Sequence, residues 1–183
     1  VFRTDFGLIA DPAAVLTDLA AHPRVVSSAR ESWRSSINEF VREFQRFTSP
    51  EPNDAVDFGK VVVSIAAQAP DDAIITTDAG NMSTWVHRHW VMTPKNTLLG
   101  AIAGAMGFGV PTAVAAAIVD STRMAITFVG DGGILMTGQE LATAVQYGAK
   151  PKVVISDNGI SGTIRTHQER HYPHRVSGTD LVN

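Results

Sequence analysis

The chain has 183 residues, of which 44% are hydrophobic and 18% are charged, and this balance is typical of a globular domain rather than a disordered one. A net charge of −3 argues against a broad nucleic-acid-binding face, and the absence of cysteine excludes disulfides, thiolate catalysis and cysteine-ligated metals. No apolar stretch approaches the ~20 residues of a membrane span and no secretory leader is visible, so we expect a cytoplasmic protein.

The first 53 residues predict two short pieces of structure. Residues 1–6 resemble the end of a strand, and Asp11-Pro12 predicts a helix start, with Asp as the N-cap and Pro at the first helical position. One such unit cannot bury its own apolar face, so residues 1–23 predict the tail of a middle domain. Residues 24–53 are polar and irregular, which predicts a linker that includes a surface helix.

From residue 54 onward the pattern becomes a regular alternation of helices and strands. The predicted elements are a helix over 54–69, a strand over 73–77, a helix over 104–119, a strand over 124–129, a helix from a Thr137–Glu140 capping box to Gly148, and a strand over 153–156. Apolar strands that alternate with helices predict an α/β fold, in which helices cover both faces of a parallel sheet. We therefore assign residues 54–183 to one domain, incomplete at its C-terminus.

Polar side chains follow three of the predicted strands, at Asp78, at Asp131 and at Asp157-Asn158. Ligands of open parallel sheets bind outside the carboxyl ends of the strands, so we expect these groups to share one crevice. The side chains of Asp131 and Asn158 offer oxygen ligands of the kind that Mg²⁺ prefers. Gly132 and Gly133 leave backbone N–H groups available for a phosphate. Taken singly, these motifs are also ordinary turn sequences.

The same residues resemble the thiamine diphosphate motif, which begins Gly-Asp-Gly and ends in Asn. Here Gly130-Asp131-Gly132 precedes Asn158, and the two ligand positions are 27 residues apart. The stretches 136–145 and 104–111, together with 78–81, are similar to the acetolactate synthase group of this family. The resemblance covers residues 54–183 and implies the thiamine diphosphate-binding fold.

The resemblance implies a role for each matching residue. Asp131 and Asn158 would bind Mg²⁺ through their side chains, and Ile160 through its carbonyl group. Gly104 would offer its carbonyl to the pyrimidine amino group, and Met106 would bend the cofactor between its two rings, although a plain core methionine also fits this position. The residues implied to contact or surround the diphosphate are Asn81, Met82, Gly132, Gly133, Ser161, Gly162 and Thr163.

The family's activity is then the expected one: a thiamine diphosphate- and Mg²⁺-dependent lyase or transferase acting on a 2-keto acid or related carbonyl compound. Ile164 stands where decarboxylases of the pyruvate type carry a catalytic Glu, which favours carboligase chemistry. The activating Glu of the family lies in another domain, so we expect no catalytic residue in this chain and no activity from it alone. The resemblance further implies a homodimer or homotetramer with the active site at the subunit interface; whether FAD binds stays open.

Other interpretations remain at this stage. A non-catalytic phosphate- or nucleotide-binding module, such as a regulatory subunit, would use the same strand-end residues. His167, His171 and His174 could form a metal site but are better explained as a solvated or substrate-facing patch, since Pro173 interrupts the helix. His87 to Trp90 predicts a surface role. Asp78 resembles a third metal ligand, and we predict that it anchors a loop instead.

Overall fold

The computed structural model describes residues 3–23, 28–51 and 55–181, which belong to two compact units, Val1–Arg42 and Glu43–Asn183. The first unit contains α1 (Pro12–Ala21) and most of α2 (Ser28–Gln45). Asp11 caps α1 as predicted, because its carboxylate accepts hydrogen bonds from the N–H groups of Ala13 and Ala14. The helix predicted within residues 24–53 is also present, as α2.

The strand predicted at the start of the chain is wrong for the residues that the structure describes there. Residues 3–6 have no strand partner, and the side chain of Phe6 is 82% exposed. A single extended segment cannot satisfy its backbone groups without a neighbouring strand. Residues 1 and 2 lie outside the described part of the chain.

The second unit contains the predicted α/β alternation. Its elements are α3 (Phe58–Gln68), β1 (Ile74–Thr77), α4 (Asn81–His89), β2 (Thr97–Gly100), α5 (Gly109–Val119), β3 (Ala125–Gly130), α6 (Asp131–Thr137), α7 (Leu141–Gln146), β4 (Lys152–Ser156) and α8 (Gly162–His171). The sequence did not predict α4, β2 or α6. No helix among the described residues has the length and apolar character that a membrane crossing requires.

The sheet is parallel throughout, with the strand order β2-β1-β3-β4. The chain leaves β1 through α4 to reach β2 on one side, and α5 then returns it across β1 to β3 on the other side. The strand order therefore reverses between β1 and β3. In open parallel sheets this reversal opens a crevice at the carboxyl ends of the two strands, which is where ligands bind.

Helices cover both faces of the sheet, as predicted. On one face, Val62 of α3 and Val86 of α4 pack against Ile75 and Phe128. On the other face, α5 and α7 pack against Val129 in a second cluster, formed by Val110, Val114, Val129 and Ala144. Alternate residues of one strand point to opposite faces, so both faces of β3 are buried and its sequence is apolar except at Thr127.

Three predicted helix boundaries are wrong. The helix expected from residue 54 begins at Phe58 with Asp57 as its N-cap, and residue 54 itself is outside the described chain. The helix expected from Gly104 begins at Gly109. The capping box at Thr137–Glu140 does not form: the hydroxyl of Thr137 donates to the Gly107 carbonyl at 2.9 Å, and a short 3₁₀ turn follows.

The apolar residues beyond that turn predict a helix with Leu141, Ala142, Ala144 and Val145 facing inward, and this prediction is only partly correct. Ala144 is buried, but Leu141 and Ala142 are exposed, and the side chain of Val145 is 81% exposed. The helix α7 is only six residues long, so it turns a narrow apolar face toward α5. Gly148 follows its end with a φ of 66°, the left-handed backbone that commonly terminates a helix.

Candidate functional site

A cleft of about 240 Å³ lies at the carboxyl ends of β1, β3 and β4, beside the point where the strand order reverses. Its lining residues are Ala79, Gly80, Asn81, Met82, Gly104, Met106, Gly130, Asp131, Gly132, Gly133, Ser156, Asn158, Ile160, Ser161, Gly162, Thr163, Ile164 and Leu181. All twelve residues that the sequence predicted for the metal and the cofactor are among them. The structure brings the predicted set together, and the role of each member stays a prediction.

Asp131 is the buried acid of the cleft. One carboxylate oxygen accepts the N–H of Gly132 at 2.8 Å, and the other accepts those of Asn158 at 3.2 Å and Gly159 at 2.8 Å. Burial raises the pKa of Asp131, but these backbone hydrogen bonds outweigh burial and hold the pKa below its ordinary value. The side chain is therefore an ionised carboxylate at neutral pH, which is the form that binds a metal ion.

The loop after β4 wraps around that carboxylate. The amide oxygen of Asn158 accepts the N–H of Ile160 at 3.1 Å, which fixes the turn that carries both predicted ligands. A carboxylate, an amide oxygen and a backbone carbonyl are hard oxygen donors, so this set fits Mg²⁺. Among the described residues, no three His, Asp or Glu side chains gather into a metal cluster, so an ion here would depend on amide and carbonyl oxygens as well.

Three helices begin at the cleft without a side-chain cap. They are α4, preceded by Gly80, α6, preceded by Gly130, and α8, preceded by Ser161. The first N–H groups of a helix have no partner within the helix, and they carry partial positive charge. Apart from the N–H of Gly132, which donates to the Asp131 carboxylate, these N–H groups have no side-chain cap and are available to an anion such as a diphosphate.

The side chain of Met82 does not serve as a polar contact. It is buried, and a Cβ added to Gly80 would lie 2.7 Å from its sulfur atom, so the thioether packs beneath the turn that precedes α4. A thioether cannot donate a hydrogen bond to a phosphate. Any contact from Met82 to the diphosphate would therefore come from its backbone N–H group.

Met106 reaches the cleft from the turn before α5. Its side chain is 42% exposed, which does not fit a plain core methionine, and a Cβ on Gly132 would lie 3.2 Å from its terminal methyl carbon. The turn depends on Gly104 and Gly107, whose φ angles of 66° and 82° lie in the left-handed region that favours glycine. These positive φ angles are the reason that α5 begins later than predicted.

Asp78 anchors this turn, as the sequence predicted. Its carboxylate is buried and accepts the N–H groups of Gly107 at 2.9 Å and Phe108 at 3.3 Å. A Cβ on Gly133 would lie only 2.6 Å from the Asp78 carboxylate, so the first turn of α6 covers it closely. Asp78 is not among the residues that line the cleft.

Six lining residues were not predicted: Ala79, Gly80, Gly130, Ser156, Ile164 and Leu181. All of these except Leu181 are adjacent to a predicted position or separated from one by a single residue. Leu181 gave no local signal, because it reaches the cleft through a tertiary pairing in which Ile160 and Asp180 form an antiparallel bridge. Its N–H donates to the Gly159 carbonyl at 2.8 Å, which connects the end of the described chain to the loop after β4.

The predictions for the two histidine-rich segments, 87–90 and 167–174, are only partly correct. The rings of His167 and His171 stack at 6.1 Å on the exposed side of α8, while His174 lies beyond the end of that helix. The surface role predicted for His87 to Trp90 is wrong for two of its residues. His89 and Trp90 are buried, and the His89 ring lies against Trp85 and Phe47.

The profile of the family described as "Thiamine pyrophosphate enzyme, C-terminal TPP binding domain" matches residues 78–183, a range that contains every residue of the cleft. The chain belongs to this family. The match confirms the resemblance found in the sequence, and the relatives place the chain in the acetolactate synthase-like part of the family.

Similar proteins include the acetolactate synthase large subunits of Parasynechococcus marenigrum (34% identical, 98% of this chain) and Lactococcus lactis (32% identical, 97% of this chain). The chain spans 28% and 31% of the lengths of these two proteins. A solved thiamine diphosphate-dependent 4-hydroxybenzoylformate decarboxylase from Rhodococcus jostii matches with a TM-score of 0.69 and 24% identity, over 75% of this chain and 26% of that one. At that identity the likeness supports the shared fold.

Proposed function

We propose that this chain forms the diphosphate-binding part of a thiamine diphosphate- and Mg²⁺-dependent enzyme that makes or breaks carbon–carbon bonds. One observation carries the proposal: a buried carboxylate and three uncapped helix starts meet in one cleft whose described lining contains no Lys, Arg or His. The enzyme class follows from the family to which the chain belongs.

The absence of basic side chains from the described lining is the argument for a metal ion. A diphosphate and the Asp131 carboxylate are both anionic, and helix N-termini offer only about half a charge each. Two anions in one partly buried site repel each other unless a cation lies between them. A divalent ion bound by Asp131, Asn158 and the Ile160 carbonyl would supply that charge, and oxygen donors favour Mg²⁺.

The chain's own residues would bind and orient the cofactor. When bound, thiamine diphosphate supplies the electron sink that carbon–carbon bond chemistry beside a carbonyl group requires. Asn81, Ser161 and Gly162 would hold the diphosphate at the helix starts. Met106 would support the bent cofactor as an apolar wedge, and Gly104 would accept a hydrogen bond from the pyrimidine through its carbonyl oxygen. Apolar lining residues such as Ile164 and Leu181 would exclude water from the reacting end.

The proposed substrate is a 2-keto acid or a related carbonyl compound, and the proposed chemistry is that of a carboligase. Support comes from the acetolactate synthases among the relatives and from Ile164 in the cleft, whose apolar side chain has no proton to donate. We also propose that residues 1–23 belong to a preceding domain and that residues 24–53 link it to this one. The activating Glu would come from another domain, normally that of a second subunit.

Calorimetry of the full-length protein with thiamine diphosphate, with and without Mg²⁺, tests the proposal. We expect tight binding that depends on Mg²⁺ and is lost in Asp131→Ala. The matched control is Asp71→Ala, an exposed acid in the turn before β1, at the opposite end of the sheet. A thiamine diphosphate affinity that does not depend on Mg²⁺, or that changes equally in the two variants, would contradict the metal site.

Mass spectrometry of covalent adducts, after the same protein has been supplied with a panel of 2-keto acids, tests the enzyme class. We expect at least one keto acid to leave an adduct on the cofactor. Tight, Mg²⁺-dependent binding without any adduct or turnover would instead indicate a non-catalytic module that has kept the fold.

A further inference from the structure

We propose that Thr163 is a positioning residue, whose hydroxyl group turns the amide nitrogen of Asn81 toward the diphosphate. This inference rests on the function proposed above, because the anion that Asn81 would recognise is the diphosphate of the cofactor. Thr163 then contributes to binding through another side chain, and its own hydroxyl does not contact the ligand.

The geometry begins with one hydrogen bond. The hydroxyl of Thr163 lies 2.9 Å from the amide oxygen of Asn81, across 82 residues of sequence. Asn81 is the first residue of α4, and Thr163 is the second residue of α8. The bond therefore joins two of the uncapped helix starts at the cleft.

The direction of this bond is fixed by the groups involved. An amide oxygen can only accept a hydrogen bond, so the hydroxyl of Thr163 must donate its proton. That proton is then unavailable to a phosphate oxygen. The amide group of Asn81 is also fixed, because the oxygen faces Thr163 and the nitrogen must point away from it.

The nitrogen of Asn81 lies beside Gly162, the first residue of α8. A Cβ added to Gly162 would lie 3.6 Å from Nδ2 of Asn81 and 3.3 Å from Nδ2 of Asn158. Two amide nitrogens thus flank the first residue of α8, and the missing side chain at Gly162 leaves space between them. Because no basic side chain lines the described cleft, neutral donors must serve a phosphate there, and these two amide nitrogens are among them, together with the hydroxyls of Ser156 and Ser161.

Asn81 is otherwise exposed, and an exposed amide turns between its two orientations at little cost. In the opposite orientation its oxygen would face the diphosphate and repel it. A hydroxyl can donate to the amide oxygen or accept from the amide nitrogen, so Thr163 and the diphosphate together favour the productive orientation, in which Thr163 binds the oxygen and the nitrogen faces the ligand. Holding the amide in this orientation increases affinity.

The test is a double-mutant cycle measured by calorimetry on the full-length protein at saturating Mg²⁺, with thiamine diphosphate as the ligand. We expect Thr163→Val to weaken binding by about tenfold, the effect of one hydrogen bond. Thr163→Ser, which keeps the hydroxyl, should stay within about twofold of the wild type. In an Asn81→Ala background, Thr163→Val should add no further loss, because the side chain that Thr163 orients is gone.

Two further measurements separate positioning from a general effect on α8. Thr166→Val removes a hydroxyl of the same helix that bonds only within it, to the Gly162 carbonyl, and should leave affinity unchanged. Inorganic pyrophosphate, used as a competitor of thiamine diphosphate, should lose affinity in Thr163→Val by the same factor as the cofactor, since the effect concerns the diphosphate alone.

The outcomes distinguish this inference from the proposed function. If the wild-type protein binds thiamine diphosphate but Thr163→Val does not weaken it, or weakens it equally in the Asn81→Ala background, positioning through Asn81 is wrong and the proposed function stands. Positioning is equally wrong if Thr163→Ser loses as much affinity as Thr163→Val. If the wild-type protein does not bind thiamine diphosphate at all, both proposals are wrong.

Discussion

Two acidic residues directly follow the ends of neighbouring parallel strands: Asp78 follows β1, and Asp131 follows β3. Each is buried, and each carboxylate accepts three backbone N–H groups, one from the next residue and two from a distant loop. For Asp78 that loop is the turn before α5, and for Asp131 it is the loop after β4. The local chemistry of the two sites is nearly the same.

Their difference lies in what covers them. Gly133 approaches the carboxylate of Asp78 so closely that no Cβ would fit, and Asp78 does not line the cleft, whereas Asp131 does. A carboxylate that the protein covers, and that accepts hydrogen bonds from backbone N–H groups, serves as a structural anchor. An open carboxylate of the same kind can bind a ligand, so access to the cleft, rather than residue type, separates the two roles.

The largest expected effect comes from Asp131→Asn, which removes the charge and also places an amide nitrogen against part of the backbone N–H groups that the carboxylate accepts. We expect the affinity for thiamine diphosphate in the presence of Mg²⁺ to fall by about a hundredfold or more, beyond the loss typical of residues that only support a metal ligand. Calorimetry measures the affinity, and chelation of Mg²⁺ should then have no further effect. A variant that keeps its full Mg²⁺-dependent affinity would contradict the comparison.

Asp78→Asn should act mainly on stability. The amide nitrogen of Asn would face backbone N–H donors, leaving buried donors of the 107–108 turn without an acceptor. We expect a loss of about 2–4 kcal/mol in the free energy of unfolding. Chemical denaturation of both Asn variants measures it, and the comparison fails if Asp131→Asn destabilises the protein more than Asp78→Asn.

The sequence pattern predicted the parallel sheet, its covered faces and the polar groups at the strand ends, such as Asp131 and Asn158, because these depend on apolar strands and on what directly follows them. Most of the other predicted cleft residues came from the resemblance to the thiamine diphosphate family.

The sequence pattern missed α4, whose residues include Asn81, Ser83 and Thr84 and have weak intrinsic helix propensity. This helix is stabilised by packing, since Met82 and Val86 are buried. The strand β2 was missed for a related reason, as it is only four residues long and half-exposed.

The wrong boundaries have tertiary causes as well. Residues 137–140 have the sequence of a capping box, but the hydroxyl of Thr137 donates a hydrogen bond to the Gly107 carbonyl, 30 residues away. Leu181 lines the cleft because its neighbour Asp180 pairs with Ile160, a residue far from it in the sequence. Neither partner is visible in a local window of sequence, so local patterns predict which residue types gather at the cleft better than they predict how the chain approaches it.

Gly133→Ala tests how tightly Asp78 is covered. The added Cβ would lie 2.6 Å from an oxygen of Asp78 and 2.9 Å from a methyl carbon of Val129, so the start of α6 must shift. We expect a destabilisation of about 1–3 kcal/mol by thermal or chemical unfolding. Gly130→Ala is the matched control: its φ of −80° suits alanine, and the nearest atom, the sulfur of Met82, is 4.0 Å away. Equal losses in the two variants would mean that Asp78 is not tightly covered.

Met106→Ala should have the smallest effect on stability. It also bears on the comparison of Asp78 with Asp131, because Met106 lies near both residues. It precedes the turn that Asp78 holds, and its methyl group lies beside Gly132, next to Asp131. Since the side chain is 42% exposed, we expect the stability to change by less than about 1 kcal/mol, against the 2–5 kcal/mol of a buried methionine.

The affinity for thiamine diphosphate should nevertheless fall by about tenfold in Met106→Ala, as the apolar contact of roughly 1.4 kcal/mol is lost, and Met106→Leu should retain most of it. Met136→Ala, an exposed methionine outside the cleft, is the control for both measurements. A large loss of stability with unchanged affinity would make Met106 an ordinary packing residue. A small loss of stability with a tenfold loss of affinity would instead mean that Asp78 holds the turn from which Met106 reaches the cleft beside Asp131.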